Sequence, residues 1–205
     1  MGLPQAILLV GPTGSGKTPL GERLEAEGLW GRRGHHFDFG EQLRRAAGAP
    51  EPPSGLSPGE VAAIRSVLRS GALLDDPQFP IAEKLLRAFL AERHVGAGDL
   101  VVLNGLPRHV GQARDLGALV AVRAVVELRC PPHVALERIR TNAGSDRSGR
   151  GDDDVEAARR RLARFARRTG PLLAHYRRRG VRVATLEVAA DTTATALRAQ
   201  LDALA

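Results

Sequence analysis

The sequence predicts an α/β fold with a central, largely parallel five-stranded sheet, on two observations. Apolar runs of strand length recur at residues 6–10, 100–103, 122–128 and 181–188, each separated from the next by helical patterning. The first run leads directly into GPTGSGKT at residues 11–18, a glycine-rich turn that opens a helix. A weaker fifth strand is expected at residues 35–39, where HHFDF alternates.

Taken in order, the start MGLPQAILLVGPTG has neither the basic region nor the small-residue cleavage site of a secretory leader, so its apolar stretch reads as the first strand. Residues 49–59, APEPPSGLSPG, form a loop by composition, and residues 56–71 read as a helix with Ser57 as N-cap and Pro58 in the first turn. Residues 40–76 together look like a small helical insert. A second break, TNAGSDRSGRGDDD at 141–154, is charged and rich in Gly and Ser, which predicts a surface loop. Beyond it, Val155, Ala158, Leu162, Phe165 and Tyr176 mark the apolar stripe of a helix that also carries many arginines. Arg160, Arg164 and Arg167 are expected on its solvated face.

At 205 residues the chain has enough length for one core with small insertions and too little for two comfortable independent domains. No apolar run approaches the roughly 20 residues that span a bilayer, so no membrane partner is expected. Cys130 is the only cysteine, which excludes an intrachain disulfide and a Cys-based zinc site, and a reducing cytoplasmic setting fits best. The net charge of +7 raises the question of nucleic acid. Of 30 basic residues, however, only Lys17 and Lys84 are lysines, so the 28 arginines reflect a chain-wide bias more than a basic patch. Aromatics at 3% leave little stacking surface, and no nucleic-acid partner is expected. The same bias makes Lys17 informative, because Lys persists where a compact ammonium is needed and a planar fork would not fit.

The chemistry of GPTGSGKT follows from its residue types. Gly11, Gly14, Ser15 and Gly16 let successive backbone N–H groups face one centre, where the helix dipole favours an anion. Lys17 can reach the β- and γ-phosphates of a nucleoside triphosphate, and the Thr18 hydroxyl can ligate Mg²⁺. Past the third strand, NGLPRHVGQ sets Arg108 and Gln112 four residues apart where the next helix begins, and they could present a guanidinium and an amide to one ligand. Taken alone, this would be an ordinary strand-to-helix turn. His35, His36 and His94 lack metal-ligand spacing and read as structural, and Cys130 reads as a packed small apolar residue.

From these residues the chain resembles the adenylate kinase family of nucleoside monophosphate kinases, nearly end to end. The family's phosphate loop is met by residues 11–17, and its acceptor segment by Gly40, Glu41, Leu43 and Arg44. The turn closing the acceptor lobe is similar to Gly71, Ala72 and Leu73, and the Asp-Gly-Phe-Pro-Arg signature to Asn104, Gly105, Leu106, Pro107 and Arg108, with Gln112 following. Arg138 stands where the family stacks an arginine on the donor base. SGRGDDD and the later RRRL resemble the lid signature, placing Arg150 and Arg161 at its two catalytic arginine positions.

The resemblance implies a P-loop kinase fold with the insert at about 40–76 as monophosphate-binding lobe and the loop at about 141–154 as a short lid. It implies transfer of the ATP γ-phosphoryl, with Mg²⁺, to a nucleoside monophosphate, AMP first, by a monomer. Lys17 and Thr18 would hold the donor phosphates and metal, Arg44 and Arg108 would grip the acceptor phosphate, and Arg150 and Arg161 would close over the transferring group. Leu73, Gly105 and Gln112 would complete the acceptor pocket, Gln112 touching the base. Physical reasoning supports this, since bringing several phosphates together requires fixed cations and exclusion of water. Two positions depart from the family. Asn104 replaces an Asp that helps hold the metal's water shell, for which Asp38 is a possible substitute, and Phe39 replaces a Thr beside the acceptor base. Asn104 therefore keeps open a nucleotide-binding protein weakened in catalysis, and Asp38 a P-loop kinase acting on a hydroxyl acceptor.

Overall fold

A computed structural model describes residues 2–50, 55–70, 78–144 and 155–203. Five parallel strands lie in the order β2-β3-β1-β4-β5, comprising β1 (Gln5–Val10), β2 (Gly34–Asp38), β3 (Leu100–Asn104), β4 (Ala121–Arg129) and β5 (Arg182–Glu187). The α/β class and the five-stranded sheet are those predicted. Helices α1 (Lys17–Glu27), α2 (Phe39–Gly48), α3 (Pro58–Ser70), α4 (Phe79–Glu92), α5 (Val110–Leu116), α6 (Pro132–Thr141), α7 (Val155–Arg178) and α8 (Ala194–Asp202) connect and cover the strands.

The strands are apolar nearly throughout because both faces of the sheet are buried. Alternate residues of β1 divide between two core clusters. Ala6, Leu8 and Val10 join Phe37, Val101, Leu103 and Val125 with residues of α2, α3, α4 and α5 on one face. Ile7 and Leu9 join Leu100, Val102, Val126 and Leu128 with Leu20, Leu24, Leu197 and Leu201 of α1 and α8 on the other. The period-2 alternation of Cβ directions produces this split. Since all strands run parallel, their C-terminal ends share one edge, where β1, β2 and β3 deliver Val10, Asp38 and Asn104 side by side.

Some boundaries differ from expectation for local reasons. β2 stops at Asp38 because its carboxylate accepts the Glu41 N–H at 3.0 Å and so caps α2, which makes Phe39 the first helical residue. α6 carries through Thr141, the first residue of the expected loop, and ends on Asn142 in the left-handed conformation (φ 48°). Ser57 caps α3 as expected. Its hydroxyl accepts from Glu60 N and the Glu60 carboxylate accepts from Ser57 N, a reciprocal pair that also receives Lys84. Leu73 and Arg150, with the turn at 71–73 and the acidic run 152–154, lie outside the described residues.

Candidate active site

Between Val10 and α1 the chain turns through residues 11–16. Gly14 (φ 82°) and Gly16 (φ 90°) occupy the left-handed region, and a Cβ on Gly14 would sit 2.7 Å from the Ala135 carbonyl of α6. Ser15 is fully buried, with its N–H donating to Pro12 O at 3.3 Å. The Lys17 ammonium folds back over the turn and donates to the Gly11 and Pro12 carbonyls, both at 2.7 Å. Gly11, Gly14, Gly16 and Lys17 face a cleft of about 300 Å³, together with Thr18, Asp38, Gly40, Arg44 and Asn104.

At the strand ends a tight polar set joins three elements. Thr18 Oγ1 donates to Asp38 Oδ2 at 2.7 Å, and Asn104 Nδ2 donates to the same oxygen at 2.8 Å while lying 3.1 Å from Thr18 Oγ1. Burial alone would raise the Asp38 carboxyl. The Thr18 hydroxyl, the Glu41 N–H and the charges of His36 and Arg44 overcome that and hold it below the usual carboxylate range. Asp38 is therefore ionised at neutral pH. The amide fixes the orientation of Asn104, since reversing it would set an oxygen against the carboxylate. An Asp at 104 would instead place two carboxylates in contact, so Asp38 and Asn104 together carry one negative charge. His36, read from sequence as an ordinary strand histidine, is the fourth member. It is 8% exposed, its Nε2 lies 3.5 Å from Asn104 Nδ2, and burial pushes its pKa down against the pull of Asp38 and Glu25.

Opposite this set stand arginines from three elements. The chain leaves β3 through Gly105 (φ 81°), and Arg108 turns back so that its Nε donates to Gly105 O at 2.7 Å while its guanidinium lies 5.9 Å from the centre of the Phe39 ring. Burial pushes its pKa down to about 10, with Arg161, Arg164 and Arg168 adding to the shift and Asp38 opposing it. Arg44 reaches in from α2, tied to Glu41 at 3.0 Å. Arg161, Arg164 and Arg168 all line the cleft from one stripe of α7.

Several expectations need correction. Gln112 does not face the cleft: it is 1% exposed, and its Oε1 accepts the Arg108 backbone N–H at 2.8 Å, so it shapes the turn that aims Arg108. Phe39 is likewise 1% exposed, stacked on Phe37 beneath Arg108, and forms a floor for the guanidinium instead of a wall for a base. Arg138 is 3% exposed and presents no open face to a ring. Its Nε donates to Gly14 O at 2.9 Å and its Nη1 to the carbonyls of Ala189, Ala190 and Thr192, bracing the phosphate loop against the segment after β5. Arg164 belongs to the cleft, while Arg160 and Arg167 are exposed as expected. Arg168 was not anticipated, because in a run with so many arginines only the helix phase relative to the sheet separates inward from outward.

A family model described as an AAA domain matches residues 7–159, which takes in the phosphate loop, β2, β3 and the start of α7. The adenylate kinase of Parvibaculum lavamentivorans (strain DS-1) is 33% identical over 184 residues, covering 85% of this chain and 80% of its own length. That of Xanthomonas oryzae pv. oryzae (strain MAFF 311018) is 32% identical over 179 residues, covering 85% of this chain and 86% of its own. The Xylella fastidiosa (strain M12) adenylate kinase is 33% identical over 181 residues, with coverage of 85% and 87%. With the loop, the parallel sheet and the cationic cleft in place, the chain belongs to the adenylate kinase family, ATP-dependent nucleoside monophosphate kinases.

Proposed function

We propose that this chain moves the γ-phosphoryl of ATP onto AMP, giving two molecules of ADP, within the cleft at the C-terminal edge of the sheet. The observation that carries this reading is the convergence of the Lys17 loop, the Thr18–Asp38–Asn104 set and the arginines of the turn after β3, of α2 and of α7 on one cleft. Such a site matches the needs of two phosphorylated substrates brought together, and a single neutral hydroxyl acceptor would not require so many cations.

The Lys17 ammonium leaves the Gly11 and Pro12 carbonyls and donates to the donor phosphates, while the loop N–H groups and the start of α1 hold the phosphate oxygens. Arg44 and Arg108 grip the acceptor phosphate and orient one of its oxygens for in-line attack, which needs no covalent intermediate and no strong base. Arg161, with Arg150 from the lid at 141–154, neutralises charge on the transferring group and excludes water. The insert at 40–76 serves as the acceptor-binding lobe, Leu73 included. Arg138 supports the donor half from beneath by fixing Gly14.

The residues fit Mg²⁺, since the Thr18 hydroxyl and the ionised Asp38 carboxylate offer hard oxygens in contact with one another, beside the amide of Asn104. When bound, the ion supplies neutralisation of the donor phosphate charge. The position of Asp38 also speaks against a binding-only protein, because the charge missing at Asn104 is present one strand away. Incubating the pure protein with ATP, Mg²⁺ and AMP, CMP, UMP or GMP, and following diphosphate formation, tests the assignment. AMP is expected to turn over fastest, whereas clear ATP binding without turnover of any monophosphate would overturn it.

A further inference from the structure

Arg161, Arg164 and Arg168 follow one another at helical spacing along the cleft side of α7, while Arg160 and Arg167 point to solvent. The cluster stands at a cost, because these guanidiniums depress the pKa of Arg108 and Asp38 is the carboxylate that opposes them there. Arg168 is the extreme case. Its Nη1 is buried and meets no hydrogen-bond partner, although the residue lines the open cleft. A charged donor shut away from water without an acceptor is unfavourable until an anion arrives. Arg168 also lies two turns from Arg161, about 10 Å along the axis, and enters the cleft close enough to Arg108 for its charge to act on that guanidinium. Phe165 and Leu172 on α7 and Val67 and Leu68 on α3 also line the cleft.

We propose that Arg168, supported by Arg164, is a further acceptor-binding residue that contacts the acceptor's phosphate from the α7 side and sets its affinity. This rests on the kinase reading above and adds an anion contact on the acceptor side alone. The donor phosphates are held across the cleft by the loop and Lys17, so affinity for ATP is independent of Arg168.

Arg168→Met tests this, since it keeps the aliphatic stem against Phe165 and Leu172 and removes the charge. The KM for the monophosphate should rise at least tenfold, with kcat and the KM for ATP changing less than threefold, in keeping with the loss of one charge-assisted hydrogen bond. Calorimetric binding of the monophosphate without ATP should weaken in parallel, and Arg168→Lys should recover part of the loss. An unchanged monophosphate affinity, or an equal loss for ATP, would overturn the proposal. If the wild-type protein turned over no monophosphate, the kinase reading would fail instead. Should Arg168→Met not fold, the Arg168 Nε–H resonance of the wild-type protein should move on titration with the monophosphate and stay still with ATP. The reverse pattern, or no movement, counts against Arg168.

Discussion

Asp38 and Asn104 share a single carboxylate, and which of them carries it is a matter of residue choice, not of backbone. Their side chains meet at 2.8 Å and both touch Thr18. A second negative charge at this separation would cost a few kcal/mol at an effective dielectric near 20, which argues that the two identities are chosen together. Asp38→Asn is therefore expected to lower kcat at least tenfold and to weaken Mn²⁺ binding, read by electron paramagnetic resonance with a non-hydrolysable ATP analogue. Asn104→Asp alone should disturb the site through like-charge repulsion. The exchanged pair Asp38→Asn/Asn104→Asp should recover most of both losses, and an exchanged pair no better than Asp38→Asn would falsify the shared-charge account. At this scale the sequence was readable where chemistry is local. Lys17 and Thr18 follow from the loop pattern, and Arg108 from its place after a strand. Gln112, Phe39 and Arg138 were misread because a side chain's hydrogen-bond partner depends on neighbours remote in sequence, such as the Ala189–Thr192 carbonyls that take Arg138.

Elements were easier to read, since hydrophobic period and end signals are short-range. The four stronger strands and the Ser57 cap lie within a residue or two of expectation, and β2 differs only because Asp38 prefers to cap α2. What periodicity does not contain is how two elements approach. Gly21 sits inside α1, where glycine costs about 1 kcal/mol relative to alanine. The reason lies across the interface, as a Cβ there would run into the His36 imidazole of β2. Gly21 thus lets the helix lie against the strand that carries His36 and Asp38. Gly21→Ala should destabilise the protein by about 2 kcal/mol through overpacking, measured by urea unfolding. In a His36→Ala background the ring is gone, and the same change should become neutral or stabilising by up to about 1 kcal/mol as helix propensity asserts itself. Equal costs in both backgrounds would show that the His36 contact is not what selects glycine.

Across the whole molecule, the parallel order β2-β3-β1-β4-β5 gathers strand ends at one edge, and the chain concentrates cations there although nothing in folding asks for them. Arg108 reports the consequence. Its folded pKa, pushed to about 10 chiefly by burial, lies below the ordinary value of an arginine. Between those values the unfolded chain binds more protons, so this group adds stability as pH climbs through the window; below about 10 its charge is a constant cost to the fold. Replacing it with a neutral residue of similar length removes that cost and forfeits the bond to Gly105 O and the contact with Phe39. Arg108→Met is accordingly expected to be about 1 kcal/mol more stable than the parent at pH 7.5, allowing for the partial exposure of the guanidinium, while kcat falls at least a hundredfold. Saturating pyrophosphate should narrow or reverse the difference, because the parent gains the anion that its arginines are arranged to hold. Paired urea titrations with and without pyrophosphate decide the matter: a variant less stable than the parent in plain buffer would mean that Arg108 is held for the fold and not for the substrate.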